Sequence, residues 1–191
     1  MKRGTIILLV VVGILVILAI SVVNFFVGTH NSLVALDETV NNAWAEVENN
    51  LQRRYDLIPN LVNTVKGFAD QEKEVLLGVT EARSRVGGAG SVSERIDAEN
   101  DLSNALSRLL VVVENYPQLK SDQNFRALQD ELAGTENRLA VARKRYNDAV
   151  REFNVLTRQF PTNFVANMFG FEAKPFYEAP EAAQEAPTVE F

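Results

Sequence analysis

The side chains in this chain that could do chemistry are few and scattered. His30 is its one histidine and cysteine is absent, which excludes thiol catalysis, a disulfide framework and cysteine-ligated metal. A lone histidine with no constellation of carboxylates or hydroxyls beside it is more often a solvent-exposed residue than a base or a ligand. Carboxylates are plentiful, but the spacing of Glu72, Glu114 and Glu131 joins none of them to a nucleophile or base, and acids on helical surfaces are usually solvated. Gly87, Gly88 and Gly90 lie between two helical patterns and lack the preceding strand that a phosphate or dinucleotide loop requires. The residue types therefore predict no catalytic residue, no cofactor-binding residue, no cofactor and no metal ligand.

Two ionisable residues stand out by position: Arg54 and Glu72 fall on an apolar seam. On one straight helix they would be separated by nearly ~30 Å and could not pair. Snorkelling of long side chains explains them, with a register-setting contact to a partner helix as the alternative. Lys144, Arg151 and Arg158 recur by seven. They read as a solvated helix face that complements the dipole near a helix C-terminus.

The elements that carry these residues begin with an apolar run. Lys2 and Arg3 precede it, and it continues almost unbroken from Ile6 to Val27. About 20 apolar residues suffice to cross a bilayer once as a helix. A cleaved signal peptide is the competing reading, but its apolar core would span only about 7–15 residues and end at a small-residue site. The stretch from Asn24 to His30 offers no such site. The expected organisation is a basic N-terminal tail at residues 1–5 and an uncleaved transmembrane helix at residues 6–27 that contacts the lipid bilayer. On the far flank Asp37, Glu38, Glu46 and Glu48 precede Arg53, the first Lys or Arg, so the positive-inside rule leaves the N-terminus in the cytoplasm and exports the rest.

Removing the anchor leaves roughly 160 residues, enough for one domain with a core. Net charge is −6, so no positive field points to nucleic acid or anionic lipid. From residue 31 the pattern is helical. Leu33, Val40 and Val47 are followed by Trp44, Leu51, Ile58, Val65, Val79 and Val86, interleaved with Leu61, Phe68, Val75 and Ala82 at spacings of three and four. Pro59 interrupts this seam and either kinks the helix or ends it, with Asp56 as the N-cap of a successor. Residues 87–90 read as a turn, and Ser91 or Ser93 with Glu94 as a helix start. Ile96, Leu102, Ala105, Leu106, Leu109, Leu110 and Val113 then supply a face until Pro117.

The last helix has the cleanest signal. Starting near Ser121, it carries Phe125, Leu132, Leu139, Tyr146, Phe153 and Phe160 at seven-residue intervals, with Leu128, Ala142, Ala149 and Leu156 at the complementary position and Thr135 as the one polar member. This is an a/d seam, and so long a helix needs long antiparallel partners. An aromatic segment follows: Phe164, Phe169, Phe171, Phe176 and Tyr177, broken by Gly170 and Pro175, should fold back on the bundle. Residues 179–191 read as a disordered acidic tail.

Leu36-Asp37-Glu38, Ala43-Trp44-Ala45-Glu46-Val47-Glu48-Asn49, the run from Leu51 through Val62 and Thr64-Val65-Lys66-Gly67-Phe68 together resemble the signature of the LemA family of bacterial membrane proteins. Glu114-Asn115-Tyr116-Pro117, Gly134-Thr135-Glu136-Asn137-Arg138, Ala142-Arg143, Tyr146-Asn147, Phe160-Pro161, Gly170-Phe171 and Pro175-Phe176 extend the resemblance across residues 31–178. It implies a single span followed by an up-and-down four-helix bundle, with no established enzymatic activity. Many members carry a His-Glu pair where this chain has Gln71-Glu72, so no metal role passes to that site.

The expected fold is therefore all-α: one N-terminal transmembrane helix, then a bundle of long antiparallel helices. Four helices are favoured, and three with a kink at Pro59 are the alternative. The expected function is a non-enzymatic scaffold or adaptor of the bacterial cytoplasmic (inner) membrane, its bundle on the periplasmic side. It would present helix faces to other membrane or envelope proteins, further copies of itself among them, and not to nucleic acid. The alternative is an accessory subunit of membrane-protein quality control that binds a membrane protease or its substrates. A hydrolase working through helix carboxylates lacks base, nucleophile and metal set together.

Overall fold

A computed structural model describes residues 3–178. Met1 and Lys2 of the basic tail, and the acidic tail expected at residues 179–191, lie outside the described residues. The first helix already includes Arg3, so the rest of the expected tail is helical. Among the described residues the structure is helical without strands: α1 (Arg3–Phe68), α2 (Lys73–Gly88), α3 (Val92–Val113), α4 (Pro117–Ser121), α5 (Gln123–Arg158) and α6 (Thr162–Phe169). Contacts divide the chain into two units, Met1–Asn41 with Ala149–Lys174 and Asn42–Asp148 with Pro175–Phe191. α1 and α5 each contribute a stretch to both.

The second unit is the bundle. It takes the α1 stretch from Asn42, α2, α3 and the α5 stretch to Asp148, and their order of contact fixes alternating directions. Glu46 and Arg53 of α1 meet Arg145 and Glu131 of α5, while Tyr55 meets Arg83 of α2. Four helices thus form, but the chain does not reverse at Pro59, which lies inside α1. It reverses at Ala69–Glu72, where the Glu72 amide donates to the Ala69 carbonyl at 3.0 Å. Asp56 accordingly caps nothing: exposed, it accepts a hydrogen bond from the Gln52 amide at 2.9 Å.

Ile58, Leu61, Val65, Val79, Val86, Leu102, Leu109 and Phe125 pack into one core cluster. Phe68 at the end of α1 and Leu110, both expected on buried faces, are instead 45% and 39% exposed. α3 starts at Ser91, whose hydroxyl accepts from the Glu94 amide while the Glu94 carboxylate accepts from the Ser91 amide, both at 3.2 Å. This reciprocal cap satisfies two amides that a helix start leaves without partners. Asp122 opens α5 by accepting from the Phe125 amide at 2.9 Å. Gly87, expected in the turn, is the penultimate residue of α2. A Cβ there would sit 3.1 Å from the Tyr55 hydroxyl, so a larger residue would require the Tyr55 ring to shift by a few tenths of an ångström.

The first unit combines the α1 stretch up to Asn41 with the end of α5, α6 and the chain to Lys174. Along α1 the large apolar side chains from Ile7 to Val23 are exposed, whereas Thr29 is buried and Leu33 fully so. Val165 and Ala166 form the buried side of α6, which ends at Gly170 in the left-handed region (φ 74°). The Phe171 amide then donates back to the Ala166 carbonyl at 2.9 Å. A left-handed glycine with that back-bond closes the helix and turns the chain.

Candidate functional site

The carboxylates that composition singled out are dispersed. Glu72 accepts a hydrogen bond from the Tyr116 hydroxyl at 2.7 Å, and Gln71 donates to the same hydroxyl at 2.7 Å. That hydrogen bond to Glu72 holds the Tyr116 phenol above its ordinary pKa. Glu114 pairs with Lys120, and Glu131 with Arg53. Exposed pairs of this kind contribute little, about 0–1 kcal/mol each. Lys144, Arg151 and Arg158 are exposed. Among the described residues no three metal-ligating side chains converge.

The concentrated charge is buried within the bundle unit. Arg54 does not snorkel; it is 6% exposed and enters the core, where Nη1 lies 3.2 Å from Glu136 Oε2 and 3.7 Å from Glu99 Oε2. Arg143 Nη1 meets the other Glu136 oxygen at 3.3 Å. This is the partner-helix contact, made to α3 and α5 together. Glu99 is fully buried, and burial pushes its carboxyl up to about 7 against the opposing pull of Arg54, Arg143 and Arg95. Neither of its oxygens has a hydrogen-bond donor in bonding geometry among the described residues. Ion pairs at such depth regain only part of their desolvation cost, and their best-attested use is to fix register. A cavity of about 390 Å³ opens beside them, with Arg54 and Glu136 at one side and Leu61, Leu106, Leu110 and Leu132 among its walls.

Sequence reasoning missed Glu99, although its spacing could have found it. Ile96, Glu99, Leu102, Leu106, Leu109 and Val113 are all buried at intervals of three and four. An acid on that stripe must be paired or kept protonated, and Arg54 is a buried cation within reach of it.

Two asparagines were missed as well. In the bundle unit Asn147 donates to the Tyr177 carbonyl at 2.9 Å and accepts from the Tyr177 amide at 2.8 Å. The Tyr146 hydroxyl donates to the Pro175 carbonyl at 2.9 Å, and the Arg143 guanidinium lies 4.5 Å from the Tyr177 ring centre. Burial holds the Tyr177 and Tyr146 phenols above their ordinary pKa. In the other unit Asn154 makes the same reciprocal pair with the Lys174 backbone, 2.8 Å each way. A side-chain amide bonded this way mimics one rung of a sheet ladder and fixes extended chain on a helix. Within that unit Lys174 also pairs with Asp37, and Phe171 packs edge-on to Phe153 at 6.3 Å. His30 is enclosed here, its ring 4.5 Å from Phe169 and 5.9 Å from Phe171. It is half-buried aromatic packing, not an open solvated residue.

An exposed apolar stretch long enough to span a bilayer, on a chain that is otherwise helical among the described residues, defines a single-pass membrane-associated helical protein. The chain belongs to the LemA family, whose profile matches residues 43–191. It is similar to magnetosome protein MamQ 2 of Paramagnetospirillum magneticum, 26% identical over 92% of this chain and 74% of that protein. It is similar to magnetosome protein MamQ of Magnetospirillum gryphiswaldense, 23% identical over 94% of this chain and 75% of the relative. Protein LemA of Metamycoplasma hominis is 23% identical over 86% of this chain and 76% of its own length.

Proposed function

We propose that the protein is a non-enzymatic scaffold of the bacterial cytoplasmic membrane, held by residues 6–27, with its bundle on the extracytoplasmic side presenting helix faces to other membrane or envelope proteins. The observation that carries the reading is where the ionisable groups go. Arg54 and Glu99 are buried and, with the partly exposed Glu136 and Arg143, tie α1, α3 and α5 together, which favours a stiff body. None of the relatives' names above denotes an enzyme, which agrees with this reading.

Capture of the full chain in mild detergent, followed by mass spectrometry of what comes with it, tests the proposal. A reproducible set of membrane or envelope proteins is expected. Recovery of a membrane protease with its substrates would replace the scaffold by the quality-control subunit, and partners that change from one preparation to the next would remove both. Sidedness is tested separately through Ser32→Cys, the only thiol in that variant. A membrane-impermeant reagent should label it without breaking the cytoplasmic membrane.

A further inference from the structure

Exposed large apolar side chains in the bundle unit are scattered, as at Leu77, Leu110 with Val111, and Val141, but at the entry to α6 and along it in the first unit they crowd. Phe160 is 75% exposed, Phe164 59%, Met168 64% and Phe169 52%. Phe164 and Met168 are four residues apart on α6, which places them on one side of it. Phe160 and Phe164 touch, with ring centres 5.9 Å apart. The opposite side carries Thr162, Val165 and Ala166, all buried. No residue of α6 is charged. Phe160 and Phe164 in contact, with Met168 on the same side of α6 as Phe164, form an exposed apolar patch of the kind that marks an interaction surface.

The height of this patch is fixed by contacts within its own unit. Phe169 packs on His30, which stands three residues beyond Val27, the last residue of the apolar run. That is about 5 Å along the helix, the depth of the headgroup layer. Phe171 leads away from it, and Lys174 reaches Asp37 and Asn41 farther along α1. α6 therefore lies at the end of the unit nearest the bilayer. Among the described side chains of α1, Thr29 is the first that is buried, just beyond the exposed run.

We infer that α6 is a second membrane contact, a short interfacial helix whose Phe160, Phe164 and Met168 side enters the boundary between headgroups and acyl chains of the bilayer that the anchor spans. The inference rests on the anchor reading. An uncharged helix with an aromatic face at headgroup depth has the chemistry of an interfacial segment, in which rings sit where hydrocarbon meets water. Proximity to the apolar run selects lipid as the occupant, since α6 packs through Phe169 on His30, three residues beyond the stretch that the anchor reading places in the bilayer. Clamped at α1 and at α6, the first unit would be fixed in tilt and rotation as well as in depth.

The absence of cysteine makes the test direct. The full-length chain is reconstituted in vesicles of phosphatidylethanolamine and phosphatidylglycerol with one nitroxide label at a time, through Phe164→Cys, Met168→Cys, Val16→Cys or Leu77→Cys. Accessibility to oxygen, which favours the bilayer, is compared with accessibility to a water-soluble nickel chelate. Labels at 164 and 168 should show an oxygen-to-nickel ratio several-fold above that at 77, between the values at 77 and 16. A label at 16 in lipid with 164 and 168 as wet as 77 overturns the interfacial helix and leaves the anchor standing. Water at 16 as well overturns both. Low accessibility to both reagents at 164 and 168 means that protein covers the patch, a second copy included, and also overturns the proposal. Circular dichroism of each variant, matching the parent, shows that these exposed substitutions leave the helices intact.

Discussion

The Arg83 side chain donates its Nε–H to the Tyr55 carbonyl at 3.1 Å, and that carbonyl is the acceptor which Pro59, four residues on, leaves without its helical donor. The same guanidinium lies over the Tyr55 ring, 3.7 Å from its centre. A proline inside a helix removes one backbone hydrogen bond and pushes on the preceding turn, at a cost of about 3 kcal/mol or more. Here α2 supplies the missing donor from outside the helix, so α1 continues to Phe68.

Removing the donor should therefore cost more than removing an ordinary surface arginine. Arg83→Ala is expected to destabilise the full chain by about 1–3 kcal/mol, through an orphaned carbonyl and a lost cation–π contact. Pro59→Ala restores an amide to the ladder, and in that background the cost of Arg83→Ala should fall below about 1 kcal/mol. Denaturant unfolding in detergent micelles of the four chains of this cycle measures the coupling. Equal costs in both backgrounds would show that Arg83 does not serve the Pro59 gap.

The heptad seam of α5 makes a separate prediction. Leu139 is fully buried and Lys144 is exposed. Leu139→Asp places an unpaired carboxylate in the core and should cost on the order of 3 kcal/mol or more, against about 0.5 or less for Lys144→Asp. Thermal melts that fail to separate the two would remove the core assignment of that seam.

The long elements were legible in the sequence because their signals are local. Seven-residue recurrence from Phe125 to Phe153 marks α5, while the last member of that seam, Phe160, falls beyond the helix end at Arg158 and is exposed, and Ser91 with Glu94 marks the start of α3. The point of reversal was not legible. Val65, Phe68, Val75 and Val79 keep spacings compatible with one helix across Ala69–Glu72, and no glycine or proline lies in that turn, so periodicity runs through it unbroken. Pro59 misled in the opposite direction, since its compensation comes from Arg83, remote in sequence. Arg54 was visible as an anomaly on the seam, but its partners belong to α3 and α5. Asn147 and Asn154 sit just beside Tyr146 and Phe153 on the same helix, and only the folded chain shows which backbone they hold.

Asn147 tests how that chain is held within the bundle unit. Asn147→Ala deletes both hydrogen bonds to Tyr177, and the Tyr177 amide should exchange with solvent at least about tenfold faster, the equivalent of one lost net bond. Asn147→Asp keeps an acceptor for that amide and loses only the donor to the Tyr177 carbonyl, so its amide should exchange at an intermediate rate. Hydrogen exchange followed at that amide gives the answer. Unchanged protection in Asn147→Ala would show that the burial of Tyr177 alone secures the segment.

The buried Glu99 sets a pH dependence whose sign is fixed by the direction of its shift. Burial raises the folded carboxyl to about 7 from an ordinary value of 4.5. Between those values the native chain holds a proton that the unfolded chain has released, so stability is full below the lower value and is lost as pH rises through the higher one. The groups facing Glu99 are Arg54 from α1, Arg95 from its own helix, and Arg143 and Glu136 from α5. The three cations limit the loss and Glu136 adds to it. The whole window corresponds to roughly 3 kcal/mol. Glu99→Gln keeps the shape of the protonated acid and cannot ionise. It should be more stable than the parent at about pH 8 by up to that amount, with the difference shrinking towards zero at about pH 5. Unfolding measured across the range decides it. A variant less stable than the parent at the higher pH would mean that the folded carboxyl is not raised above its ordinary value and that its pairing with Arg54 outweighs the desolvation of both.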